Sequence, residues 1–399
     1  MSWIDREECF RTPSRLPSKP ALPDPLTHLD GRAVESVGGW EDRREELKAL
    51  FRHYVYGYAP DPFEVRAKPI SHDAILDDRG SLRTVELSFP TLSPEAPTIR
   101  LSVLTPAGEE SVPVILGLNR SGNHTLLADD RLPGPGPLAS EDPPSRGSRA
   151  DFWCVETILD RGFGLASFHH DDIAPDRDAV EHSIVSFVDE SSLAGPSGSE
   201  WGLLARWAWG LQHAVDYLLE APDVDPDAIG VIGHSRRGKA ALLAGATDER
   251  IALVVPHQSG TGGCALARGN DQETIAAITR RFPHWFADRF HAFAGRPDRL
   301  PVDQHLLIAL VAPRPLMDTE GSRDYWANPG LALDAIRGAG PVYDWYGADG
   351  VLGDGLLVND DPIDAETVGA LVQYRRETGH TLNEAYWEKI LDFAAVHFE

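Results

Sequence analysis

The chain has 399 residues, 42% of them hydrophobic and 25% charged, and a formal net charge of −25. That balance belongs to soluble globular proteins and excludes a collagen-like or wholly disordered chain. So acidic a surface repels phosphate backbones, which argues against nucleic acid as a partner. No stretch approaches the roughly 20 apolar residues that span a bilayer, so no membrane partner is expected.

Three cysteines, Cys9, Cys154 and Cys264, supply neither a disulfide framework nor a four-thiolate zinc site. The N-terminus lacks the apolar run of a secretory signal. As written the chain reads as cytoplasmic; the alternative is a secreted or periplasmic protein whose signal has been removed.

Residues 12–26 hold five prolines and read as an extended surface arm. Residues 40–58 have helical apolar spacing, with Leu47, Leu50 and Phe51 on one face. TVELSFP (84–90) and TIRLSVLTP (98–106) alternate apolar and polar residues, the pattern of antiparallel strands with one wet face. The pattern then changes. VPVILGL (112–118), GFGLASF (162–168), AIGVIG (228–233) and IALVVP (251–256) are short continuous apolar runs, suited to parallel strands covered on both faces. Helical stretches at 201–220 and 238–246 lie between them. VAPRPLMDT (311–319) and PVYDWYG (341–347) are two further strand candidates, and 383–398 is a closing helix. Residues 122–150 and 348–364 read as long surface loops. Alternating strand and helix predicts a three-layer αβα sandwich with a mostly parallel central sheet and N-terminal antiparallel strands. Length alone allows two or three domains. The expectation is one domain over 1–399, with the arm and helix of 1–80 packed on it.

The segment AIGVIGHSRRGKAALL carries the most chemistry. A strand ends near Ile232, and Gly233-His234-Ser235-Arg236-Arg237-Gly238 turns into a helix. This is the setting of a nucleophile elbow, which lifts a serine hydroxyl to the C-terminal edge of a sheet. The usual spacing is Gly-x-Ser-x-Gly; here Arg237 fills the second glycine position and Gly238 follows it. A plain strand–helix turn is the bland alternative, and the glycine spacing does not suit a phosphate-binding loop.

The longer string Gly233-His234-Ser235-Arg236-Arg237-Gly238-Lys239 resembles the glucuronoyl esterases, carbohydrate esterase family 15. The likeness extends through VILGLNRSGNHT (114–125), DERIALVVPHQSGTGG (248–263), FPHWF (282–286), LPVDQHLLIALVAPRP (300–315), DYWANP (324–329) and the terminal GHT segment, about 300 residues in the family's order. It implies an α/β-hydrolase fold, no cofactor, and a serine esterase that cleaves esters joining 4-O-methyl-glucuronate on xylan to a lignin alcohol. A monomer is expected.

A serine needs a base, and in this fold the order is Ser, acid, His. His380 falls in the loop before the final helix, where the base belongs; His284, His291 and His305 are competitors. Asp318, Glu320 and Asp324 follow a late strand. Asp324 stands in the Asp-x-Trp context that resembles the family's bacterial members. The family's other acid position, in Glu-Ser-Gly, is Gln258-Ser259-Gly260 here, so that carboxylate is missing. The backbone N–H of Arg236 is an oxyanion donor, and the resemblance adds its guanidinium; the bland alternative pairs Arg236 with Asp248. Lys239, i+4 from Ser235, is implied as a sugar contact, with Trp326, Gln258 and Glu273 completing the substrate-binding set. Competing readings are an acetylxylan or general esterase with the same triad, and a non-catalytic carbohydrate-binding relative. A metal enzyme on His169-His170-Asp171-Asp172 is disfavoured, because adjacent histidines on an extended segment point to opposite faces.

Overall fold

The computed structural model describes residues 10–135, 142–177, 181, 183–189 and 200–398; Cys9 and the tip of the 122–150 loop lie outside them. The ten strands are β1 (Arg66–Ile75), β2 (Gly80–Ser88), β3 (Ile99–Pro106), β4 (Val112–Asn119), β5 (Gly164–His169), β6 (Val224–His234), β7 (Leu253–His257), β8 (Leu316–Gly321), β9 (Leu356–Val358) and β10 (Leu371–Arg376). They form one sheet in the order β1-β2-β3-β5-β4-β6-β7-β8-β10-β9. The first pairings, through β3–β5, are antiparallel, and every later one is parallel.

The apolar runs lie where burial on both faces requires them. In β4, Val114, Leu116 and Leu118 enter one core and Ile115 the other; in β8, Leu316 and Met317 divide the same way. Helices α1 (Val37–Phe51), α4 (Leu203–Leu218), α5 (Arg236–Thr247), α7 (Gln304–Ala309) and α8 (Pro329–Trp345) cover the first face. Helices α2 (Ala150–Trp153), α3 (Val155–Asp160) and α9 (Glu384–His397) cover the second. The short α6 (Ile275–Arg281) lies in the segment after β7. This is the three-layer α/β-hydrolase arrangement. Among the described residues no helix is long and apolar enough to cross a membrane.

Several elements differ from the sequence reading. PVYDWYG is not a strand: it ends α8, whose buried Ala332, Ala335, Ile336, Ala339 and Val342 keep helical spacing through Pro341. The strand at that end of the sheet is β10, with β9 inside the stretch read as a loop. β1 also escaped the sequence reading. It is an edge strand, mostly exposed, with its register broken between Pro69 and Ser71, so it lacks the apolar alternation of a half-buried strand.

Candidate active site

β6 delivers the chain to the elbow and α5 leaves it. Between them Ser235 takes φ 62° and ψ −128°, a left-handed conformation that a non-glycine residue holds only under strong constraint. Its N–H bonds the carbonyl of His257 at the end of β7, 2.9 Å away. The turn needs its glycines at 233 and 238. A Cβ on Gly233 would lie 2.1 Å from the Arg237 carbonyl oxygen, and one on Gly238 would lie 2.7 Å from that of Gly233. Close approach therefore falls on Gly238, and Arg237 is accommodated at the position where the usual motif has glycine. Arg236 opens α5, so its N–H is one of the helix's unpaired donors beside Ser235.

His380 lies in the loop between β10 and α9, with its Nδ1 2.5 Å from Asp324 Oδ2. Asp324 is buried and His380 half-exposed. His257, the last residue of β7, and Gln258 after it fix the loop by its backbone. His257 Nε2 donates to the Thr381 carbonyl (2.9 Å) while its Nδ1 meets the Thr319 hydroxyl (2.6 Å). Burial pulls His257 down to about 3, so it stays neutral, with its proton on Nε2. Gln258 Nε2 donates to the Gly379 carbonyl (3.0 Å), and Gln258 Oε1 meets Nε2 of His234 at 3.2 Å. His257 and Gln258 thus hold the peptides on either side of His380. Nothing in the sequence pattern singled out His257. The competing histidines are placed otherwise: His291 and His305 bond the carbonyls of Pro283 and Pro23, and His284 bonds Asp176.

Glu320 points into the sheet interior, fully buried, with neither carboxyl oxygen bonded to any described residue. Burial, then the charges of Asp318 and Asp324, push it far above the usual carboxylate range. The unfolded chain releases this proton near pH 4.3, whereas the folded protein keeps it. Stability is therefore full below that pH and falls as pH rises, by at most about 1.4 kcal/mol per pH unit for this proton. Glu320→Gln is expected to flatten the decline in unfolding free energy as pH rises above about 5, read from urea titrations. An unchanged pH profile would mean that Glu320 is ionised in the fold.

Arg236 does not pair with Asp248, which binds Arg250 instead. Its Nη1 donates to Asp176 Oδ2 at 2.5 Å, and its guanidinium lies 4.7 Å from the Phe282 ring and 4.4 Å from that of Trp285. Asp176 also accepts from His284 Nε2 (3.1 Å) and Trp285 Nε1 (3.0 Å). Burial alone would raise the Asp176 carboxyl. The bonds from His284 and Trp285 and the Arg236 charge outweigh it and hold the group well below the usual range. Asp176 is thus the anchor of the FPHWF segment and of Arg236, and no sequence signal marked it.

The remaining site residues form one network. Lys239 Nζ donates to the carbonyls of Ser259 and Thr261 (both 2.6 Å) and to Glu273 Oε2 (2.9 Å). Glu273 Oε2 also accepts from the Thr261 N–H, and Glu273 Oε1 accepts from Trp326 Nε1 at 2.9 Å. Trp326 keeps its indole 41% exposed. An ammonium has three protons, and all three are committed here. Lys239 is thus joined to Trp326 through the Glu273 carboxylate. Lys239→Ala leaves the Glu273 charge buried and uncompensated and is expected to cost about 3–5 kcal/mol of stability. Urea unfolding measures this; a loss near zero would place Glu273 in solvent contact.

His169, His170 and Asp171 do bring ligand atoms within 4.8 Å of one another, against the argument from an extended segment. The chain turns into a 3-10 helix at His170, so the rings do not diverge. His169 Nε2 is already bonded to the Arg120 carbonyl (2.7 Å), and the charge of Arg237 acts on His170.

A mostly parallel sheet whose central strand ends in a strained serine at a helix N-terminus defines an α/β-hydrolase. The family model for fungal glucuronyl esterases matches residues 152–347. Carbohydrate esterase MZ0003, from an unknown prokaryotic organism, is 35% identical over 394 residues, covering 95% of this chain and 90% of its own. The 4-O-methyl-glucuronoyl methylesterase of Schizophyllum commune is 30% identical over 345 residues, 83% of this chain and 75% of its own. Among solved structures, a glucuronoyl esterase from Solibacter usitatus superimposes with a TM-score of 0.87 at 32% identity, over 97% of this chain and 100% of that one. The chain belongs to the glucuronoyl esterases of carbohydrate esterase family 15.

Proposed function

We propose that this protein hydrolyses esters of glucuronic acid, including its 4-O-methyl form on xylan, through Ser235, His380 and Asp324. Ser235 Oγ attacks the uronate carbonyl carbon while His380 takes the hydroxyl proton. The Arg236 N–H and the positive charge of its guanidinium stabilise the tetrahedral oxyanion. The acyl–oxygen bond then breaks, the alcohol leaves with the proton from His380, and water releases the uronate from Ser235 by the reverse sequence. Asp324 keeps the His380 proton on Nδ1 and stabilises the imidazolium. Trp326 offers its exposed indole to a sugar face, oriented by Glu273, which Lys239 holds in turn. The observation that carries this reading is the 2.5 Å Asp324–His380 bond, with the His380 ring centroid 4.3 Å from that of His234, the residue before the strained Ser235. The names of the relatives support the choice of a uronate over an acetate.

Benzyl glucuronate, 4-nitrophenyl acetate and acetylated xylan, assayed side by side, test the substrate class. kcat/KM for the glucuronate ester is expected to exceed that for 4-nitrophenyl acetate by on the order of 10²-fold, because only the sugar meets the Glu273–Trp326 contacts. Faster turnover of acetylated xylan would make the protein a general carbohydrate esterase.

A further inference from the structure

One side of the elbow remains without a role. A cavity of about 210 Å³ opens there, lined by Gly233, His234 and Arg237 of the elbow, by His380, and by Phe152. Two more arginines, Arg120 and Arg149, line the same cavity, and among the described residues no aspartate or glutamate does. In a chain of net charge −25 this concentration of positive charge is unexpected.

Arg237 is the centre of it. Its side chain is only 5% exposed, and among the described residues it makes no hydrogen bond or ion pair. Burial, then the neighbouring Arg236, makes its positive charge harder to hold, and Arg120 adds to the effect. Two carboxylates offset it in part without bonding it: Asp176, which is bonded to Arg236, His284 and Trp285, and Asp171, which lies outside the cavity wall. A buried guanidinium with five donors and no acceptor is costly unless something else supplies the anion.

The place of the cavity says which part of a substrate reaches it. Lys239, Glu273 and Trp326 form a separate network, and none of them lines this cavity. His380, which gives its proton to the departing alcohol, is part of the wall. The alcohol half of the ester therefore leaves on this side. A cavity of roughly 150 Å³ accepts a benzene ring, so this one holds a ring with a small substituent against Phe152.

We propose that this cavity is the leaving-alcohol site and that it selects alcohols bearing a carboxylate, which Arg237 binds with Arg120 and Arg149 at its rim. The inference rests on the glucuronate-ester reading above. It adds that the alcohol partner is an acidic, ring-bearing molecule and not a neutral one. Arg237 presents a planar fork of donors suited to a carboxylate.

The test compares benzyl glucuronate with 4-carboxybenzyl glucuronate, which differ only in the charge on the alcohol ring. The wild type is expected to favour the carboxybenzyl ester in kcat/KM by roughly tenfold. That ratio should fall to about one in Arg237→Met, which keeps the volume and removes the charge. The exposed pair Arg120→Ala/Arg149→Ala should lower the ratio part of the way, and it keeps the test valid if Arg237→Met does not fold. A wild-type ratio of one or less would overturn the proposal, as would a preference that survives in Arg237→Met. Hydrolysis of neither ester would instead refute the glucuronate reading, and this inference with it.

Discussion

Ser235→Ala is expected to lower kcat on glucuronate esters by on the order of 10⁴ to 10⁶ while leaving the fold intact. The loss follows from the elbow. The strained backbone at 235 stands at the α5 N-terminus, and among the described residues no other serine takes a positive φ. Removing Oγ leaves His380, Asp324 and the oxyanion donors with no nucleophile to activate, so only weak background hydrolysis remains. Urea unfolding separates this from misfolding, since one small, half-buried oxygen contributes little to stability. An alanine variant that kept substantial activity would end the mechanism.

Asp324→Asn is the second severe change, expected to cost roughly 10⁴-fold in kcat with little effect on KM. Asp324 Oδ2 lies 2.5 Å from His380 Nδ1, and the family's other acid position, 258, is glutamine here. The asparagine amide would offer a donor where the ring needs an acceptor, and the imidazole would be held in the wrong tautomer. Gln258 is bonded to the Gly379 carbonyl, one residue before His380. Gln258→Glu in the Asp324→Asn background is therefore expected to recover about tenfold, through negative charge returned beside the imidazolium. Activity in Asp324→Asn close to the wild type would move the acid to another residue.

Local chemistry was legible in the sequence, and distant chemistry was not. Gly233, Ser235 and Gly238 mark the elbow because the turn is made by consecutive residues. His380 and Asp324 could be placed because each follows a strand or precedes a helix with its own signal. Asp176 could not be found: its partners Arg236, His284 and Trp285 lie 60 or more residues away. The same holds for His257, which acts on the backbone of Thr381 across the sheet edge. β10 was missed for a related reason. Gln373 and Arg375 face Asp318 and Glu320 across the parallel pairing, so polar residues interrupt the apolar run of a covered strand. PVYDWYG was misread because valine and tyrosines in a short run fit a strand as well as a helix end, and the upstream spacing from Ala332 decides between them. For Lys239, spacing placed it near Ser235, but the three acceptors around its ammonium lie 20, 22 and 34 residues further along the chain, beyond the reach of local spacing.

The central claim is that Ser235 forms a covalent uronoyl ester during turnover. Rapid acid quenching of the enzyme with benzyl glucuronate, followed by mass spectrometry of the peptide containing Ser235, tests it most directly. The mechanism predicts a glucuronoyl adduct on that peptide, with release of one equivalent of benzyl alcohol ahead of steady turnover, and no adduct in Ser235→Ala. Steady hydrolysis with the adduct on another residue would contradict it.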